Sequence, residues 1–150
     1  MVKFRARAAA ACMSSLMILM LSAAIAPSPA QTPAKSIKDQ LVGHWQLVSV
    51  TVNGNMPYGA NPQGSMFLDA EGHYAIIVVS DGKARSISYF GTYTVNDADN
   101  SMTLHVDASS RARGDGHDQK RMVTFNGDEL IQQTPPSSST VGSIKLIWKH

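Results

Sequence analysis

Cysteine is almost missing from this chain: Cys12 is the only one in 150 residues. It precedes the strongest apolar stretch near the N-terminus, where it is not placed as a lipid anchor. Charge clusters are missing too. The chain carries 13 Lys and Arg against 11 Asp and Glu, and three of the basic residues, Lys3, Arg5 and Arg7, sit in the first few positions. Beyond residue 30 the balance is 10 against 11, so the basic pI belongs to the N-terminus and nothing supports nucleic-acid binding, which needs grouped Lys and Arg. After Ser36–Gly43 no second helical pattern of ten residues occurs, and no unit repeats. Cys-x-x-Cys, paired His at helical spacing and Gly-x-Ser-x-Gly are all absent, so spacing alone proposes neither a metal centre, a cofactor nor a nucleophile–base pair.

What the first 30 residues do contain is the order of a secretory signal. A basic start is followed by "AAAACMSSLMILMLSAAIA" and a small-residue exit, "APSPAQ". Ser28 and Ala30 satisfy the small-x-small rule before Gln31. The expectation is a signal peptide over 1–30 and a single domain over 31–150, exported to the periplasm or secreted, with no membrane span once the signal is removed. That domain has no cysteine, so in an oxidising compartment it depends on a hydrophobic core without disulfides. About 120 residues suffice, because a domain of that size buries roughly two-thirds of its unfolded surface.

From residue 35 onward the pattern is β. "SIKDQLVG" reads as a short helical turn with Ser36 as cap, Asp39 at the capping-box position and Gly43 as stop. Strands are expected at 44–53, 64–69, 73–80, 85–95, 101–107, 119–125, 128–134 and 141–149. They are divided by turn sequences such as "NGN", "AEG", "SDG" and "FNGD". In the fourth strand Ile87, Tyr89, Gly91, Tyr93 and Val95 share a face, and in the last Ile144, Leu146 and Trp148 do. One aromatic inner face, one polar outer face and tight turns favour an all-β, eight-stranded antiparallel up-and-down barrel over a two-sheet sandwich.

"LVGHWQLVSVTV", "PYGANPQGSMFLDAEGHY", "YFGTYTV", "LHV", "QKRMVTFNGDELIQQTPP" and a terminal "LIWK" resemble, in this order, the bacterial and fungal lipocalin-like domain family. The resemblance spans nearly all of the chain after the signal. It implies a cup-shaped barrel whose Gly-x-Trp entry, here Gly43 and Trp45, closes the floor. Glu71 replaces the family's usual hairpin Asp, Leu68 stands where Tyr is frequent, and 81–88 is too short for the family's helical insert. The last two touch cavity wall and lid, so no ligand identity is carried over.

The resulting expectation is a binder of a small, mostly apolar or amphipathic molecule. Trp45 would be the floor, Phe67, Tyr74, Tyr89, Tyr93 and Trp148 the aromatic lining, and Arg121 an inward polar anchor. His105 and Arg121 match His and Arg positions of the family pattern. Alternation nevertheless groups His105 with Thr103 and Asp107, which turns it to solvent if the apolar face lines the barrel. Two other readings remain at this stage. One is a small barrel enzyme of isomerase or cyclase type using His105 and Arg121 in the same cup. The other is a barrel filled by its own side chains that acts through its surface.

Overall fold

The computed structural model describes residues 35–111, 114–136 and 142–150. The expected signal peptide and the start of the mature domain at Gln31 lie outside the described residues. Among the described residues one short helix, α1 (Ile37–Leu41), precedes eight strands. These are β1 (Gly43–Val52), β2 (Gln63–Leu68), β3 (His73–Val79), β4 (Ser86–Asn96), β5 (Ser101–Ser109), β6 (Asp118–Asn126), β7 (Glu129–Gln133) and β8 (Ile144–Lys149). Each strand pairs antiparallel with the next, and β8 returns to β1, so the sheet closes into an up-and-down barrel. Closure leaves no strand with an unpaired edge, the usual hazard of a single sheet.

The helix begins as its sequence requires. The Ser36 hydroxyl accepts from the Asp39 backbone N–H at 3.1 Å and donates to the Asp39 carboxylate at 2.7 Å. A third bond runs from the Ile37 N–H to Asp97 Oδ1, tying the helix start to the β4–β5 turn. Leu41 is fully buried beneath the barrel. Gly43 then adopts φ 140°, a backbone region that L side chains rarely enter, and lets the chain turn directly into β1.

Alternation sets the two faces of each strand, with one informative break. Trp45 and Leu47 point inward from β1, but the register against β8 shifts between Leu47 and Ser49. The bulge moves inward parity from odd to even positions, so Val48 is exposed while Val50 is buried. A second irregularity lies between β4 and β5 at Gly91. A Cβ on Gly91 would collide with the His105 carbonyl and crowd the Asp107 amide, so only glycine allows the two strands to approach there.

Interior side chains differ in size along the barrel axis. At the end closed by α1, Trp45, Trp148, Met66, Met102, Leu104, Leu130 and Gln132 are all fully buried or nearly so. An eight-stranded barrel is just wide enough for side chains to fill, and two indoles with two thioethers fill this half. Toward the other end the inward positions are Val50, Val52, Gly64, Val78, Ile87 and Ile144. These are too small to meet across the same width. The barrel is therefore packed at one end and hollow at the other.

Candidate ligand-binding cavity

The hollow half is a cavity of about 1280 Å³ that opens to solvent. Its apolar walls come from Val50, Val52, Val78, Ile87, Ile144 and Leu146. Pro57, Tyr58, Arg85, Arg111 and His117, which lie between strands in the sequence, also reach the lining. Tyr89 and Arg121 supply its inner polar surface.

Arg121 points inward from β6 on the same face as Gln119, Val123 and Phe125, and only 7% of it is exposed. Its Nη1 donates to the Lys120 carbonyl at 3.0 Å and its Nη2 to Gln119 Oε1 at 2.7 Å. Both acceptors are neutral. Burial pulls the guanidinium below its ordinary range, while the neighbouring phenols Tyr89 and Tyr74 act in the opposite direction. An arginine stays charged under such conditions. Tyr74 meets Tyr89 edge-on, with ring centroids 6.0 Å apart and planes at 72°. The Tyr74 hydroxyl is buried and has no hydrogen-bond partner among the described residues. Desolvation raises both phenols above their ordinary range, so they remain O–H donors at any physiological pH.

Below this lies the packed half. Gln132 spans it: Nε2 donates to Met66 Sδ at 3.5 Å and Met102 Sδ at 3.3 Å, and Oε1 accepts from Trp148 Nε1 at 3.1 Å. The amide thus satisfies both of its N–H groups on soft acceptors, a cheap way to seat a fully buried polar side chain. At the bottom, Trp45 Nε1 donates to the Leu41 carbonyl at 2.8 Å and its ring packs on His150, with centroids 3.7 Å apart.

The expected site residues separate into three groups. Tyr89 and Arg121 line the cavity, and Tyr74 is buried against Tyr89. Trp45, Tyr93 and Trp148 face inward but belong to the packed half, so Tyr93 and Trp148 do not line the hollow. The Tyr93 hydroxyl instead donates to the Asp69 carbonyl in the β2–β3 turn, at 2.7 Å. Phe67 and His105 lie on the outer face. Phe67 is 50% exposed, because Met66 and Leu68 take the inward positions of β2; it stacks on its cross-strand partner His44, centroids 4.4 Å apart. His105 is exposed, with Nδ1 2.7 Å from Asp118 Oδ1. His105 and Arg121 therefore occupy opposite faces of the wall and cannot act together on one substrate.

Sequence reasoning missed Gln132, Gln119 and the valine-rich upper wall. Gln132 had a signal, since it shares inward parity with Leu130 in β7. Val50 had none, because a bulge decides its face. A shallow groove of about 350 Å³ on the outer wall, beside Phe90 and Ile77, is a second depression without charged residues. Among the described residues no group of three or more His, Cys, Asp or Glu is placed to hold a metal ion. No family model matches the chain, and no curated protein matches it. Its class is defined by its own geometry: a closed eight-stranded antiparallel barrel, packed at one end and hollow at the other.

Proposed function

We propose that this is an exported, lipocalin-like carrier that takes a small, mostly apolar molecule into the open half of its barrel. The observation that carries the reading is the hollow itself, about 1280 Å³ walled largely by Val, Ile and Leu side chains with a few placed polar groups. Such walls give affinity by removing apolar ligand surface from water, and a small number of polar groups fix orientation. Export is supported by the basic, apolar, small-residue order of residues 1–30. N-terminal sequencing of the exported protein should return Gln31 as its first residue; an intact Met1 would contradict it.

The cavity reading is tested by filling the hollow. Val78 is buried on the inward face of β3 and lines the cavity wall. In a packed core, Val→Trp would clash and cost about 1–3 kcal/mol or more. Here the indole has space to enter. Val78→Trp is expected to fold with a melting temperature close to the parent's and to lose binding of an apolar fluorescent dye. Dye binding equal in both proteins, or absent from the parent, would contradict the reading.

A further inference from the structure

We propose that Arg121 receives the anionic head of the cavity's ligand, so that the ligand class is a monoanionic amphiphile, a carboxylate on a compact apolar body, seated head-inward. The proposal rests on the carrier reading and adds a chemistry and an orientation to it. A guanidinium has five N–H donors, and Arg121 uses its Nη1 and Nη2 groups on a carbonyl and an amide oxygen. All 11 acidic side chains of the chain fall among the described residues, and none of them pairs with Arg121. Asp118 and Lys120 also reach the cavity lining, but each is held by another partner: Asp118 by His105 and Lys120 by Asp99, both at 2.7 Å; Asp128 pairs with Lys149 and Asp69 with His73. A charge that is 93% buried without a counter-ion carries an unrelieved desolvation cost. A carboxylate entering the cavity would relieve it with two parallel charge-assisted bonds.

A second buried group in the same interior lacks a partner. Tyr74 is 4% exposed and its hydroxyl has no acceptor among the described residues. Neither group is paired with a carboxylate of this chain, so an anionic acceptor for the cavity-lining Arg121 has to arrive from outside.

Arg85 and Arg111 also line the cavity, at its mouth, and are exposed. Mobile ions screen exposed charges within about 8–10 Å at ordinary salt, so these two attract an anion to the entrance without holding it there. Arg121 lies three positions inside the first residue of β6, Asp118, roughly 10 Å along the strand at ~3.3 Å per residue. The apolar wall of Val52, Val78, Ile87 and Ile144 covers the upper part of the hollow. A head at Arg121 places the apolar body against that wall, whereas a head at the mouth would press the body onto the guanidinium. One buried cation balances one negative charge, which favours a carboxylate over a doubly charged phosphate monoester.

The experiment is titration calorimetry of the full mature chain with decanoate and with methyl decanoate. The parent is expected to prefer the acid by about tenfold or more, the usual worth of a hydrogen-bonded charge. Arg121→Gln should bring the two ligands to near equality, and Arg121→Lys should keep most of the preference. Arg85→Gln with Arg111→Gln should retain the preference while slowing association at low salt. Carboxyl-labelled decanoate gives a readout on the parent alone: its bound carboxyl should stay ionised to lower pH than the free acid. Equal affinities in the parent, a preference that survives Arg121→Gln, or a bound carboxyl titrating like the free acid would overturn the anchor and leave the hollow carrier standing. Failure of both ligands to bind would remove both.

Discussion

At the residue scale, two side chains show how this barrel treats polar groups it encloses or leaves in water. Gln132 sits at the centre of the packed half and is the acceptor for Trp148 Nε1. Gln132→Leu keeps the volume but strands that indole N–H in an apolar core. A buried donor without a partner costs about 1–3 kcal/mol, a sizeable share of the ~5–15 kcal/mol that typically stabilises a domain. Urea unfolding should show a loss in that range, and a variant as stable as the parent would contradict the role. Asp69, by contrast, is only half-buried. Its Oδ1 accepts from the Gly72 and His73 backbone N–H groups at 2.8 and 2.7 Å, closing the β2–β3 turn. Those bonds, the one from His73 foremost, hold its carboxyl below the ordinary value of 3.8. A carboxyl depressed in the folded state stabilises above its unfolded pKa and loses that contribution as pH falls through the folded one. The stability gap between parent and Asp69→Asn should be full at neutral pH and close below pH 3.8; a gap independent of pH would contradict the assignment.

At the scale of the strand, much was legible and some was not, for physical reasons. All eight strands and the capped turn before them could be read, because turn residues and alternation are local signals. In β4 and β8 a single parity carries nearly all the bulky apolar residues, and that parity faces in. In β2 both parities are apolar, Met66 with Leu68 against Phe67, and only the neighbouring strands decide between them. Stacking on His44 covers enough of Phe67 to leave it outside. Bulges are harder still. The shift after Leu47 reverses the parity of β1 and delivers Val50 to the cavity with no turn residue to announce it. The irregularity at Gly91 does have a marker, the glycine itself. Gly91→Ala should force β4 and β5 apart and cost at least the ~1–3 kcal/mol of an overpacked site. A melting temperature within error of the parent's would mean the strands can part there without loss.

For the whole molecule, the decisive property is how interior volume is distributed along the barrel axis. Alternation reveals which residues face in but not how high they sit. Height follows from register and shear, which only the closed barrel fixes. Tyr89 and Tyr93 therefore looked equivalent in sequence, yet Tyr89 lines the hollow while Tyr93 closes a turn at the packed end. Arg121 was legible as an inward cation because Val123 and Phe125 share its parity, and its lack of a carboxylate partner emerged only from the fold. The outer groove beside Phe90, which is 54% exposed, is the alternative place for an apolar ligand. One measurement separates the two: methyl NMR of the mature protein titrated with decanoate. The hollow-barrel reading predicts saturable shifts at Val50, Val78, Ile87, Ile144 and Leu146, with Met66, Met102 and Leu130 nearly unmoved. Shifts confined to Ile77, Ala75 and Ala108 on the outer wall, or none at saturating ligand, would contradict it.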